Sequence, residues 1–121
     1  MLNLNSIMVG STQPSVMAEF YARVFARPAD VVEEGIEYGW QVGNTFFMVG
    51  EHSDMKGMAK DPGRVMCNFE TEQVKEEFER IKATGATVIQ EPYEMEGMWI
   101  ATFADPDGNF FQLMTPFEGA G

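Results

Sequence analysis

The chain has 121 residues, of which 45% are hydrophobic and 22% charged, with a formal net charge of −11. This composition is typical of one folded domain and excludes disordered and fibrous classes. The negative charge repels phosphate backbones and anionic lipid surfaces, so we expect no nucleic-acid partner and no membrane partner. No apolar run approaches the roughly 18 residues that a membrane span needs, no signal peptide is visible, and Cys67 has no second cysteine with which to form a disulfide. We therefore expect the protein to be cytoplasmic.

The first half of the chain predicts one helix and four strands. Ser15 is the expected N-cap of the helix, which carries apolar residues at three-to-four spacing. The helix ends before Pro28, because proline disfavours helical geometry in the residue before it. Gly43-Asn44 is a strong hairpin signal between the last two strands. The predicted strands cover residues 4–10, 30–34, 36–42 and 45–50.

The second half predicts the same order of elements. Thr71 is the expected N-cap of a second helix, whose apolar face is Val74, Phe78 and Ile81 and which ends before Gly85. The predicted strands cover residues 65–69, 87–90, 98–103 and 109–115. The matching order predicts one domain with a first repeat at 1–52, a linker at 53–63, a second repeat at 64–116 and a loose tail at 117–121.

The two halves also match in sequence detail. Trp40 follows the tripeptide Glu37-Tyr38-Gly39, and Trp99 follows the tripeptide Glu96-Gly97-Met98. The turn at Gly43-Asn44 is likewise matched by Gly108-Asn109. We therefore predict an α+β fold built from two βαβββ repeats, in which the two tryptophans hold equivalent positions.

One stretch makes the similarity specific. Residues 103–109, Phe-Ala-Asp-Pro-Asp-Gly-Asn, form a tight polar turn between strands and are followed by Phe111-Gln112-Leu113. Together with Phe20-Tyr21 and Phe69-Glu70-Thr71, this turn resembles the glyoxalase / bleomycin-resistance / extradiol-dioxygenase superfamily, the vicinal oxygen chelate proteins. The resemblance implies curled antiparallel or mixed sheets that form an open cup, completed by a homodimer, with the ligand in the cup.

The same resemblance implies where a metal would bind. Metal-using members place His or Glu on the first and last strand of each module, and these positions fall at Ser6, Phe47, Met66 and Gln112. None of these side chains is a good ligand for a divalent cation, which requires basic nitrogens or anionic oxygens. We therefore expect no cofactor, and a divalent metal is the disfavoured alternative.

Three other groups could carry chemistry. His52, with Glu51 beside it, could act as a general base or remain an exposed loop residue. Trp40 and Trp99 could stack on a planar or cationic guest, or could simply be core residues. Six glutamates, three in each repeat, lie before or at the start of the third strand and could draw cations to the cup or form a solvated surface. They are Glu33, Glu34, Glu37, Glu91, Glu94 and Glu96.

The sequence therefore predicts a metal-independent protein that binds a small neutral or cationic molecule, similar to the drug-sequestering members of the superfamily. One alternative is an enzyme, a glyoxalase-like lyase or isomerase that depends on a metal or uses His52 or Glu51. Another is a structural module whose cup is filled by its own side chains. The predicted ligand-binding residues are Ser6, Trp40, Phe47, Met66, Trp99, Gln112 and Met114.

Overall fold

Two four-stranded sheets, each accompanied by one helix, make up the computed structural model of the chain. The structure describes residues 1–52 and 54–116, so the predicted tail at 117–121 and the first linker residue lie outside the described residues. The chain divides into two compact units, Met1–Gly57 and Met58–Gly121. No helix within the described residues is long and apolar enough to span a membrane.

Unit 1 contains the first sheet, in the order β1-β4-β3-β2. The strands β1 and β4 are parallel, and the other neighbours are antiparallel. The elements are β1 (Ser6–Ser11), α1 (Pro14–Phe25), β2 (Val31–Glu33), β3 (Glu37–Val42) and β4 (Thr45–Glu51).

Helix α1 covers one face of this sheet. The Tyr21 ring lies 4.7 Å from the Phe47 ring, and the Phe25 ring lies 5.4 Å from Trp40, centroid to centroid. The helix begins two residues earlier than an N-cap at Ser15 predicts, with Pro14 in its first turn, because proline has the backbone angle of a helix and lacks the N–H that would be unpaired there. Ser15 is therefore inside the helix and does not cap it.

The edge strand β2 is anchored by an exposed ion pair. The Arg27 guanidinium donates to the Asp30 carboxylate at 2.7 Å, and the backbone N–H of Gln41 donates to the same carboxylate at 2.8 Å. These two bonds, with the hydrogen bond from Arg27 as the larger cause, lower the pKa of Asp30 below its ordinary value.

Unit 2 repeats this arrangement, in the order β5-β8-β7-β6, with β5 and β8 parallel. Helix α2 buries Val74, Phe78 and Ile81, as the spacing predicts, and Gly85 has a positive φ of 95°. Thr71 does not cap the helix, because its hydroxyl instead accepts the backbone N–H of Gln73 in a turn before it. The elements are β5 (Cys67–Glu70), α2 (Val74–Lys82), β6 (Thr87–Met95), β7 (Met98–Ala104) and β8 (Phe110–Met114).

The predicted α+β fold of two βαβββ repeats is confirmed, but the repeats align differently around the tryptophans. Trp40 lies opposite Phe47, whereas the residue opposite the corresponding Phe111 is Phe103. Trp99 is four residues earlier in β7. The prediction was wrong because β6 continues to Met95, which moves the hairpin turn to the residues just before Met98.

The turn between β7 and β8 is organised by a buried carboxylate. Asp105 is only 4% exposed, and its two oxygens accept hydrogen bonds from the backbone N–H of Asp107, the backbone N–H of Asn109 and the side-chain amide of Asn109, at 2.9 to 3.2 Å. Gly108 completes the turn at a φ of 86°. Residues of the predicted linker also bind here, since the N–H of Ala59 donates to the carbonyl of Asp107.

We expect Asp105→Ala to lower the free energy of unfolding by about 3 kcal/mol, because several donors inside the turn lose a charged acceptor. Urea denaturation followed by circular dichroism measures the change. The matched control is Asp61→Ala, which removes a carboxylate whose ion pair with Arg64 is exposed to solvent, and which should cost less than about 1 kcal/mol. Equal effects of the two substitutions would contradict the structural role given to Asp105.

Candidate functional site

A row of four uncharged polar side chains crosses the second sheet. Residues that are in register on neighbouring strands point to the same face of a sheet. Asn68 on β5 is in register with Gln112 on β8, Gln112 with Thr102 on β7, and Thr102 with Gln90 on β6. We call these four residues the polar row. It spans the full width of the sheet.

The centre of the polar row is fixed by a hydrogen bond. The side-chain amide of Gln112 donates to the hydroxyl of Thr102 at 3.1 Å, and Thr102 is only 5% exposed. This bond uses one of the two donors of a primary amide, so a second donor and the carbonyl oxygen remain for a ligand. The bond holds the Gln112 side chain in a defined direction.

Apolar residues flank the polar row on both sides. Met114 and Ile100 are in register on one side, and Phe110 and Ala104 are in register on the other. The face therefore combines hydrogen-bonding groups in one line with apolar surface beside them, which is the usual composition of a small-molecule site. Met114 is half-buried in this face.

The opposite face of the second sheet is closed by its helix. Phe111 stacks on Phe103 at 5.6 Å, and Phe103 stacks on Phe78 of α2 at 5.1 Å. Cys67 is in register with Phe111 and so belongs to this face. Burial, and secondarily the negative charge of Asp105, raise the pKa of the Cys67 thiol, which keeps it in the unreactive protonated form.

In unit 1 the corresponding face of the sheet carries Ser6 in register with Phe46, and Met8 in register with Met48. Ser6 is exposed. The Phe46 ring lies directly over Gly39, where any larger side chain would overlap it. This face is therefore mostly apolar.

Two of the predicted ligand-binding residues lie on the helix side of the first sheet instead. Phe47 is 2% exposed and contacts Tyr21, and Trp40 is fully buried, with its indole N–H donating to the carbonyl of Arg27 at 3.1 Å. The reason is strand alternation, since a shift of one residue along β4 moves a side chain to the other face. Met48, rather than Phe47, shares the face of Ser6.

The residues at the implied metal positions do not fit a divalent ion. Phe47 has no donor atom and faces the helix, Gln112 offers a neutral amide, and Met66 precedes β5 with a soft thioether. Within residues 1–52 and 54–116, no group of three His, Cys, Asp or Glu side chains is close enough to hold a metal ion.

Trp99 lies apart from the polar row, on the side of its sheet that packs against α2. The Lys75 ammonium is 3.8 Å from the centre of the indole ring, a distance typical of a cation–π contact. A cavity of about 170 Å³ opens beside it, lined by Glu72, Val74, Lys75, Glu76, Trp99 and Thr115. The ring is thus already covered on one face by a cation of the chain itself.

His52 and Glu51 stand at the end of β4 and are both exposed. The Nδ1 atom of His52 accepts the backbone N–H of Asp54 at 3.2 Å, and the Glu51 N–H donates to the carbonyl of Ile36. The six glutamates of the predicted acidic rim are exposed, apart from the half-buried Glu37.

Sequence reasoning found Gln112 but missed its companions Asn68, Thr102 and Gln90. Thr102 was detectable in principle, because it is the single hydroxyl within the otherwise apolar strand from Met98 to Ala104. Gln90 was not detectable from the sequence, because irregularities in the strand pairing on either side of it disturb the alternation of side chains along β6.

Comparison with known proteins supports this architecture. A sequence model of the glyoxalase-like domain matches residues 6–114. A search among curated proteins found no match.

Three solved structures illustrate the similarity of fold. A glyoxalase-related enzyme from Fulvimarina pelagi has a TM-score of 0.79 at 17% identity, covering 99% of this chain and 94% of that one. A glyoxalase/bleomycin resistance protein/dioxygenase family enzyme from Burkholderia phytofirmans PsJN has a TM-score of 0.75 at 22% identity, and the match covers 96% of this chain and 100% of that one. Lactoylglutathione lyase from Agrobacterium tumefaciens has a TM-score of 0.70 at 15% identity, and the match covers 93% of this chain and 92% of that one.

We expect the bond between Gln112 and Thr102 to contribute about 1 kcal/mol to stability, the usual value for a neutral hydrogen bond. A double-mutant cycle with Thr102→Val and Gln112→Leu, measured by urea denaturation, isolates this coupling. The control cycle pairs Gln112→Leu with Thr12→Val, an exposed position in unit 1, and should show no coupling. Additive effects of the first pair would contradict the bond.

Proposed function

Because the chain belongs to the glyoxalase-like domain family, we propose that it is a metal-independent protein that binds and sequesters a small molecule, in the manner of the drug-sequestering members of that superfamily. The observation that supports this proposal is the polar row, flanked by apolar residues on the sheet face of unit 2. The guest contacts the polar row through hydrogen bonds and the flanking residues through apolar surface.

The chemistry of the polar row favours a guest with neutral hydrogen-bonding groups. Three primary amides and a hydroxyl offer donors and acceptors without a formal charge. When a guest covers an amide of the polar row without pairing with it, the unpaired amide costs about 1 to 3 kcal/mol of binding free energy. A guest that lacks matching groups therefore binds poorly. Selection therefore comes from the amides, and most of the affinity comes from the apolar surface beside them.

A cationic group on the guest is also compatible with the site. Glu70 is in register with Met114, next to the polar row, and is exposed. With a net charge of −11, the protein also attracts cations in solution over a longer range. We therefore extend the proposed guests to amphipathic molecules that carry a positive charge.

The remaining parts of the proposal concern assembly and location. In this proposal a homodimer completes the binding cup. Met66 and Met114 extend the lining of the site in unit 2, and Ser6 offers a hydroxyl to a guest on the face of unit 1. The protein acts in the cytoplasm without a cofactor. Metal independence is supported by the residues at the implied ligand positions, which offer no anionic oxygen and no imidazole to a divalent ion.

Isothermal titration calorimetry against a panel of planar aromatic amides, cationic aromatics and basic glycopeptides tests the proposal. We expect a saturable site for at least one class, with the affinity lowered about tenfold by Gln112→Leu, since a lost hydrogen bond of about 1.4 kcal/mol corresponds to that factor. The matched control is Gln73→Leu, which makes the same change at an exposed residue before α2 and should leave the affinity unchanged.

Two results would overturn the proposal. One is a guest whose affinity is the same in the wild type and in Gln112→Leu. The other is stoichiometric nickel, zinc, manganese or iron retained by the purified protein after dialysis, measured by elemental analysis. Turnover of a glyoxalase-type substrate that is lost in His52→Ala would favour the enzyme alternative instead.

A further inference from the structure

A second candidate site lies in unit 1, where sulfur-containing side chains gather over a pair of glycines. Gly10 on β1 and Gly50 on β4 are in register, next to the pair formed by Met8 and Met48. The absence of side chains at the two glycines leaves a depression in this face of the sheet. Methionines from the strands and from the segment after β4 occupy it.

The distances show how close these groups lie. A Cβ atom placed on Gly10 would be 2.6 Å from Met55 Cγ, 3.6 Å from Met55 Sδ and 3.1 Å from His52 Cβ. A Cβ atom placed on Gly50 would be 3.2 Å from the methyl group of Met8. Neighbouring strands are about 4.8 Å apart, so the Met8 and Met55 side chains and His52 converge on one small area.

Met8 and Met55 are also accessible. They are 49% and 43% exposed, although methionine is usually buried. Their side chains are long and unbranched, so each sulfur can move toward a shared ligand at little cost. Met48, half-buried beside Met8, supplies a further thioether nearby.

His52 adds a nitrogen donor to this group. Its ring is exposed, and its contact with the Asp54 N–H at 3.2 Å is long for a hydrogen bond. Binding of an ion to the ring therefore displaces a weak interaction at most. Two thioethers and one imidazole form the donor set.

We propose that Met8, Met55 and His52 form a binding site for Cu(I). Thioether sulfur is a soft ligand that selects Cu(I), whereas hard divalent cations prefer oxygen. The site is separate from the positions that the superfamily uses for divalent metals, and it does not depend on the proposed guest of unit 2. Glu37, whose Cγ would lie 3.7 Å from a Cβ on Gly50, places a carboxylate nearby that favours a cation.

The test is an anaerobic titration of the full chain with Cu(I) in the presence of a chromophoric Cu(I) chelator, repeated with Ag(I) as a probe that does not change oxidation state. It is carried out on Cys67→Ser, because the free thiol is itself a soft ligand. We expect one Cu(I) per chain to be withheld from the chelator. X-ray absorption should show sulfur and nitrogen neighbours.

Substitutions then identify the ligands. Met8→Leu combined with Met55→Leu keeps the apolar volume and removes both sulfurs, and we expect it to weaken Cu(I) binding at least tenfold. His52→Ala should remove the nitrogen contribution from the absorption spectrum. Met95→Leu changes another half-exposed methionine, in unit 2, and should have no effect.

The proposal fails if Cys67→Ser withholds no Cu(I) from the chelator. It also fails if the double methionine variant, shown to be folded by circular dichroism, binds Cu(I) as tightly as its parent. Binding that disappears with Met95→Leu would place the ion elsewhere and would equally overturn it.

Discussion

Each sheet of this protein has one helix, and that helix covers one face. Because side chains alternate between the faces of a strand, this single constraint divides every strand into residues that build the core and residues that remain for ligands. In unit 2, Phe111 and Leu113 are buried on the helix side, while Gln112 between them belongs to the other face. In unit 1, Phe47 is in the core, while Met48 shares the face of Ser6. The chemistry of each site follows from this alternation.

The two repeats have the same topology but present different chemistry. The second sheet displays amides and a hydroxyl in one row, whereas the corresponding face of the first sheet carries glycines, methionines and Phe46. Neither face carries the anionic oxygens and imidazoles that a divalent metal requires at the implied positions. One architecture, used twice in a chain, thus supports two unlike surfaces, because the residues on the face away from the helix do not build the core.

The fold could be predicted from the sequence because its signals are local. Gly43-Asn44 marks one hairpin, and the spacing of Val74, Phe78 and Ile81 gives α2. The Asp105 turn is specific enough to indicate the family, since a carboxylate, a proline and a glycine at fixed spacing produce a self-contained network of hydrogen bonds. The helix caps were less predictable, because Ser15 and Thr71 lie near helix starts but make other hydrogen bonds.

The candidate site was predictable only in part, since its companions come together through register rather than sequence proximity. Gln112 was visible as a polar residue in an apolar strand, but its pairing with Asn68 depends on a parallel contact between strands far apart in the chain. A shift of one residue placed Phe47 on the wrong face, and the assumed equivalence of Trp40 and Trp99 ignored the longer hairpin of β6 and β7. The register of strand pairing is therefore the feature of the site that could not be predicted from the sequence.

The position of Cys67 has a practical consequence for studying the two units. Its thiol faces the helix side of the second sheet and is held protonated by burial, so it reacts slowly with alkylating reagents while unit 2 is intact. Since it is the one cysteine in the sequence, labelling of the protein by a thiol reagent reports on unit 2, where Cys67 lies. The chain thus carries an intrinsic chemical probe for local opening around the helix side of the second sheet.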